Sequence, residues 1–183
     1  MKNVLSLFIM SFSVACAQHD NTPKVPLVQT SQEEYPTIDY SVALEHPYEI
    51  AFETVPVNHG QSELHIDINL FGGSFFVSPN ETKDFSGKFR VEIAPNDKLK
   101  LGADFEEIPS SKKVVDSKLF MRGDTYWVRE STQYKYPLQV NTTEDFEIGG
   151  KIIFTIEPKC TLEEIPIIFK FKDGELKVEK WEC

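Results

Sequence analysis

Three cysteines carry the most reactive side chains in this sequence: Cys16, Cys160 and Cys183. A thiol can hold lipid, close a disulfide or exchange electrons, and the compartment decides which. Cys16 sits in SVACAQ, Ser13 to Gln18, behind a leader that opens with Lys2 and runs almost wholly apolar from Val4 to Val14. That run is shorter than the ~20 residues a membrane span needs. A charged start, a short apolar stretch and small residues before a cut make an export signal.

Val14-Ala15-Cys16 resembles a bacterial lipobox, with Ser13 standing where that pattern usually has leucine. On that reading residues 1–15 are the signal peptide and Cys16 is the lipidated first residue of an envelope lipoprotein. A cut after Ala17, at the small-x-small site Ala15-Cys16-Ala17, is the alternative and gives a secreted protein. Either cut leaves Cys160 and Cys183 as a pair in an oxidising space, where a disulfide is expected. Residues 16–46 are polar, with Pro23, Pro26 and Pro36, and read as a flexible tether.

The other reactive residue types are scattered. His19, His46, His59 and His65 show no H-x-x-x-H or H-E-x-x-H spacing, so no metal or cofactor is expected. His65 and Asp67 share one strand face, a spacing that can hold a metal but that a solvated face explains as well. The paired acids Glu106-Glu107 and Glu163-Glu164, and Asp145 with Glu147, read as wet, charged faces. Tyr126, Trp127, Tyr134 and Tyr136 form the one aromatic cluster that could serve as a binding surface, for a glycan above all. Core packing of two neighbouring strands is the plainer account of it.

Charge narrows the partners. Nineteen basic against 29 acidic side chains leave a formal charge of -10. Such a chain is repelled by phosphate backbones, which excludes nucleic acid as a partner. Membrane contact is expected through Cys16 alone, and any further partner is an envelope protein or a glycan.

Alternating strands must position these residues. From Tyr48 onward the apolar residues recur with period two: Tyr48-Ile50-Phe52, Leu64-Ile66-Ile68-Leu70, Phe89-Val91-Ile93 and Leu99-Leu101. Tyr134-Tyr136-Leu138-Val140, Ile152-Phe154-Ile156, Ile165-Ile167-Phe169-Phe171 and Leu176-Val178 follow. Period two means one face buried and one wet. Breakers such as Gly72-Gly73, Pro95-Asn96-Asp97, Gly149-Gly150 and Asp173-Gly174 are expected between the runs. The pattern predicts an all-β, antiparallel two-sheet sandwich of eight or nine strands over 47–183, immunoglobulin-like in its general plan, with a closed barrel as the alternative.

One hairpin can be checked internally. Asp173-Gly174 suits a two-residue type I′ turn. Counting outward pairs Phe171 with Leu176 and Phe169 with Val178, and a one-residue slip would ruin that match. The same count sets Cys183 opposite Glu164. A loop from Cys160 to Glu164 that curled back would let the sulfurs meet, and closing it would stabilise the chain by roughly 3 kcal/mol.

Gly150 to Phe171, GKIIFTIEPKCTLEEIPIIFKF, resembles part of the immunoglobulin-like N-terminal domain of the membrane thiol:disulfide interchange protein. There a strand leads to a cysteine, a short loop, a second cysteine and proline, then another strand. Cys160 and Pro166 match the first cysteine and the proline. The second cysteine is absent, so Cys183 would have to supply it from another strand. The resemblance implies a sandwich and raises a thiol-redox module as one alternative function. Acidic neighbours argue against a reactive thiolate at Cys160. The expectation for function is an exported, lipid-anchored interaction or structural module without catalysis. The redox module and a carbohydrate-binding domain are its alternatives.

Overall fold

The alternating runs are strands, and they pair antiparallel throughout, in a computed structural model that describes residues 37–58, 60–116 and 123–181. In chain order the elements are α1 (Tyr40–Glu45), β1 (Tyr48–Asn58), β2 (Gln61–Leu70), β3 (Phe76–Val77), β4 (Arg90–Ile93), β5 (Leu99–Leu101) and β6 (Glu106–Ile108). Then come β7 (Lys112–Asp116), β8 (Gly123–Val128), β9 (Thr132–Val140), β10 (Phe146–Ile156), β11 (Thr161–Lys172) and β12 (Glu175–Lys180). Twelve strands among the described residues exceed the expected eight or nine.

They make two facing sheets and a small third one. The first runs β1-β2-β9-β5, with β6 also on β9; the second runs β12-β11-β10-β4. The third is β3-β8-β7. Leu64, Ile66, Ile68, Tyr134 and Leu138 from the first sheet meet Ile152, Phe154, Ile167 and Phe169 from the second in one buried cluster. This is the expected sandwich, with the cores of two inner faces interleaved. The third sheet straddles two layers. Phe76 and Val128 join the main core, while Phe75, Val77 and Trp127 form a satellite cluster with Ile38, Phe85 and Val114 at its margin.

The predicted hairpin register holds. Lys172 pairs with Glu175, Phe171 with Leu176 and Phe169 with Val178. Asp173 and Gly174 take φ of 53° and 82°, the left-handed values of a type I′ turn.

Two expectations about segments need correction. Residues 37–46, assigned to the tether, carry α1. Asp39 caps it by accepting from the amides of Ser41 and Val42. The Ser41 hydroxyl, which also donates to it, does most to hold its carboxyl below the usual range, with the Val42 amide next. Ala43 is buried, and a Cβ on Gly72 would stand 2.6 Å from its amide nitrogen, so only glycine lets the helix sit there. Gly149-Gly150, expected as a breaker, lies inside β10. A Cβ on Gly150 would come within 2.7 Å of the Glu92 carbonyl oxygen, and one on Gly149 within 3.2 Å of the Trp181 ring. Glycines inside a strand mark close approach, and here both do.

Candidate functional site

The aromatic quartet does not make a surface. Tyr134 and Tyr136 alternate inward on β9 and are buried in the main core. Tyr134 stacks on Phe89, with ring centroids 4.4 Å apart. Trp127 lies in the satellite cluster, edge-on to Phe75 at 5.1 Å. Tyr126, its neighbour on β8, faces the other way and is half-buried. The binding-surface expectation is therefore corrected. Strand parity sorted Tyr134 and Tyr136 properly, but the second sheet covers their face, and Trp127 is enclosed separately in the satellite cluster.

A polar node that the sequence did not point to lies beneath them. Glu107, half of an acid pair expected to face water, is buried on β6. Its Oε1 accepts from Ser78 Oγ and from the Tyr134 hydroxyl, each at 2.8 Å. Its Oε2 accepts from Asn80 Nδ2 and from the Ser111 amide, also at 2.8 Å. Burial first, then the neighbouring carboxylate, pushes the Tyr134 phenol far above its ordinary range. Glu81, also buried, accepts from the amides of Lys83 and Tyr126 at 2.9 and 3.3 Å. The Ser78, Glu107 and Tyr134 side chains have the residue types of a nucleophile and its bases. Their geometry is that of a clamp: four donors saturate the carboxylate, and Ser78 and Tyr134 are wholly buried. The node joins the segment after β3 and the start of β7 to the first sheet through β6 and β9.

Cys160 stands at the β10–β11 turn with φ of 53°, exposed and free. Its thiol donates to Glu157 Oε2 at 2.9 Å, and this bond, with the charge of that carboxylate, raises its pKa. Thr161 to Glu164, expected to curl back as a loop, begins the twelve-residue β11. At ~3.3 Å per residue the steps from Cys160 to Glu164 span roughly 13 Å. Disulfide Cα atoms lie about 4.4–6.8 Å apart. The expected route from Cys160 to a residue facing Glu164 is therefore closed. Cys183 itself lies outside the described residues, as do Cys16, His19 and His59.

His65 Nε2 sits 2.9 Å from Glu63 Oε2, while Asp67 accepts from Gln133 Nε2 at 2.8 Å. The two residues share a face and serve different partners. Among the described residues no group of three metal-binding side chains converges.

The second residue missed in the sequence is Trp181. Leu176 and Val178 point into the core, so Glu175, Lys177, Glu179 and Trp181 point out; that parity was legible. The Trp181 amide donates to the Pro166 carbonyl at 3.0 Å, extending the β12 pairing, and the ring is 51% exposed over Gly149. Further along the same outer face, toward the Asp173-Gly174 turn, lies a shallow depression of about 620 Å³ whose lining includes Glu147, Lys170 and Glu179 but not Trp181.

No family profile matches the chain, and no curated protein matches it. Among solved structures it is similar to the DsbD N-terminal domain of Neisseria meningitidis in the reduced form. The TM-score is 0.41 at 9% identity, over 72% of this chain and 90% of that one. A complex of the DsbD and PilB N-terminal domains from the same organism gives 0.39 at 12%, over 68% and 84%. The GAE domain of GGA2p from Saccharomyces cerevisiae gives 0.35 at 12%, over 69% and 91%. The first two are the domain type that Gly150 to Phe171 resembles. The all-β assignment of this chain rests on its own strand pairing.

Proposed function

We propose that the chain is exported, held at a bacterial envelope by lipid on Cys16, and works there as a binding module without catalysis. The observation that carries the noncatalytic reading is the state of Glu107. A general base needs a free lone pair aimed at a reactant's proton. Here both carboxylate oxygens are taken up by Ser78, Tyr134, Asn80 and Ser111, and the side chain is buried. Cys160 supports the same reading, because its carboxylate neighbour disfavours the thiolate that exchange chemistry requires. The leader, the lipobox-like Val14-Ala15-Cys16 and the polar stretch after it support the anchor.

Fractionation of cells that express the full-length chain tests the anchor. Wild type is expected in the membrane fraction, with an intact mass that includes acyl chains on Cys16. Cys16→Ala is expected in the soluble exported fraction. Recovery of the whole chain from cytosol with its leader intact would overturn the reading. The noncatalytic part fails if a fluorophosphonate probe labels Ser78 in the folded protein.

A further inference from the structure

We propose that the outer face of the β12-β11-β10-β4 sheet is a binding platform for a neutral carbohydrate chain, centred on Trp181. The inference rests on the binding-module reading and names its ligand class.

The chain has two tryptophans, and only Trp181 offers its ring to water: 51% exposed, against 7% for Trp127. Its seat is built. Position 149 points outward on a sheet face otherwise rich in charged residues, yet it is glycine, and glycine weakens a strand. A Cβ there would stand 3.2 Å from Trp181 Cζ3, so a side chain at 149 would press on the indole and shift it by a few tenths of an ångström. Pro166 and the half-buried Ile168, on the intervening strand, complete a small apolar floor. A sugar presents an apolar face of C–H groups to such a ring, with hydroxyls around its edge.

The rim decides the occupant. On one side Lys170 pairs with Glu179 at 2.5 Å. On the other Lys151 lies 3.4 Å from Glu164 and 3.8 Å from Glu92, and Arg90 lies 2.8 Å from Glu92. With Glu147 beside Lys170 across the strand pair, three cations face four carboxylates. Charges so nearly balanced give neither a polyanion nor a polycation a field to follow. They do supply donors and acceptors side by side, which is what a hydroxyl, able to give and take a hydrogen bond, requires. A protein partner would need a contiguous apolar centre within about 800 Å² per side. One indole, a proline and half an isoleucine suit a sugar ring instead. The depression of about 620 Å³ shares Glu147, Lys170 and Glu179 with this rim. It gives further units of a chain somewhere to lie.

Calorimetric titration of the folded full chain with cellohexaose, xylohexaose and chitohexaose tests the proposal, with polygalacturonate as the charged comparison. At least one neutral hexasaccharide is expected to bind saturably at millimolar concentration or below. Trp181→Ala is expected to abolish the heat, and Gly149→Ala, whose Cβ would press on the ring, to raise Kd by a smaller factor, about twofold or more. Trp181→Phe keeps an aromatic face should the alanine variant misfold, and is expected to bind more weakly than wild type. The proposal is overturned if all three neutral probes are silent to 10 mM. It is equally overturned if Trp181→Ala binds like wild type while folded, or if polygalacturonate binds more tightly than the neutral chains. Silence here with Cys16-dependent membrane retention intact removes the carbohydrate ligand and leaves the anchored module standing.

Discussion

Trp127 and Trp181 are the same residue in two different sheets of one molecule, and their settings differ in burial, neighbours and charge. Trp127 is enclosed by Phe75, Val77 and the half-buried Val114, with the Arg129 guanidinium 5.7 Å from its ring centroid. Its indole Nε1 is buried without a hydrogen-bond partner. Trp181 lies in the open on a glycine, with paired charges around it. Trp127 stands on β8 and Trp181 directly follows β12, where its amide continues the ladder to Pro166. What separates them is whether a second layer covers the face on which parity places them. Trp127 belongs to the third sheet, where Phe75 and the flanking Ile38 and Phe85 pack against it. Nothing among the described residues covers the outer face of the second sheet.

The largest expected difference is in stability. Trp127→Ala should cost about 3–5 kcal/mol, the usual range for deleting an enclosed large aromatic side chain. Trp181→Ala should cost less than about 1 kcal/mol, as most exposed substitutions do. Urea unfolding reads both, and an unchanged m-value would show that the denatured state is not responsible. Equal losses would break the comparison. Trp127→Phe sharpens it: the substitution removes the unpartnered Nε1 along with some packing, so it should cost clearly less than the alanine variant.

The polar clamp gives the next effect. Ser78, Asn80 and Ser111 tie the side of the molecule that holds Trp127 to Glu107 and Tyr134. Tyr134→Phe should destabilise by about 1–3 kcal/mol, because a buried carboxylate oxygen loses one of its two donors. If that clamp holds the third sheet in place, hydrogen exchange should quicken in β7 and β8 before it quickens in β11 and β12. Uniform quickening would show that the two sides open together.

Legibility followed the same divide. The second sheet was readable because its strands are long, wet on one face and joined by a two-residue turn. Asp173-Gly174 alone set the pairing of Phe169 with Val178 and Phe171 with Leu176. The third sheet was not readable. β3 has two residues, β7 begins with Lys112 and Lys113, and β8 has no clean alternation, so period two had nothing to act on. The clamp was hidden for a different reason. Its members lie 27 and 29 residues apart, and no local pattern tells a buried glutamate from the wet one beside it. Gly149-Gly150 misled because a glycine pair usually marks a turn, while here each glycine answers a long-range contact. Trp181 was in view. The charged residues at 175, 177 and 179 put position 181 on the wet face, and only attention to the denser aromatic cluster passed over it.

A third difference between the two sides is chemical and should leave stability almost untouched. The Cys160 thiol, at the end of the readable hairpin, donates to Glu157, and this favours the protonated form. A group whose folded pKa is raised contributes its stability below its unfolded pKa and loses it as pH rises through the folded value. Any such contribution is therefore complete at neutral pH and fades only in alkali. Reactivity follows the same sign. Alkylation of the folded chain by iodoacetamide at pH 8 should be slower than that of a free cysteine. Glu157→Gln should quicken it, and the two proteins should converge once the pH exceeds both thiol pKa values. The reaction should also proceed without reductant, because β11 carries Cys160 away from the position that a partner opposite Glu164 would occupy. A thiol that reacts only after reduction would place Cys183 beside it. The final strand would then have to leave the register that its hairpin turn sets.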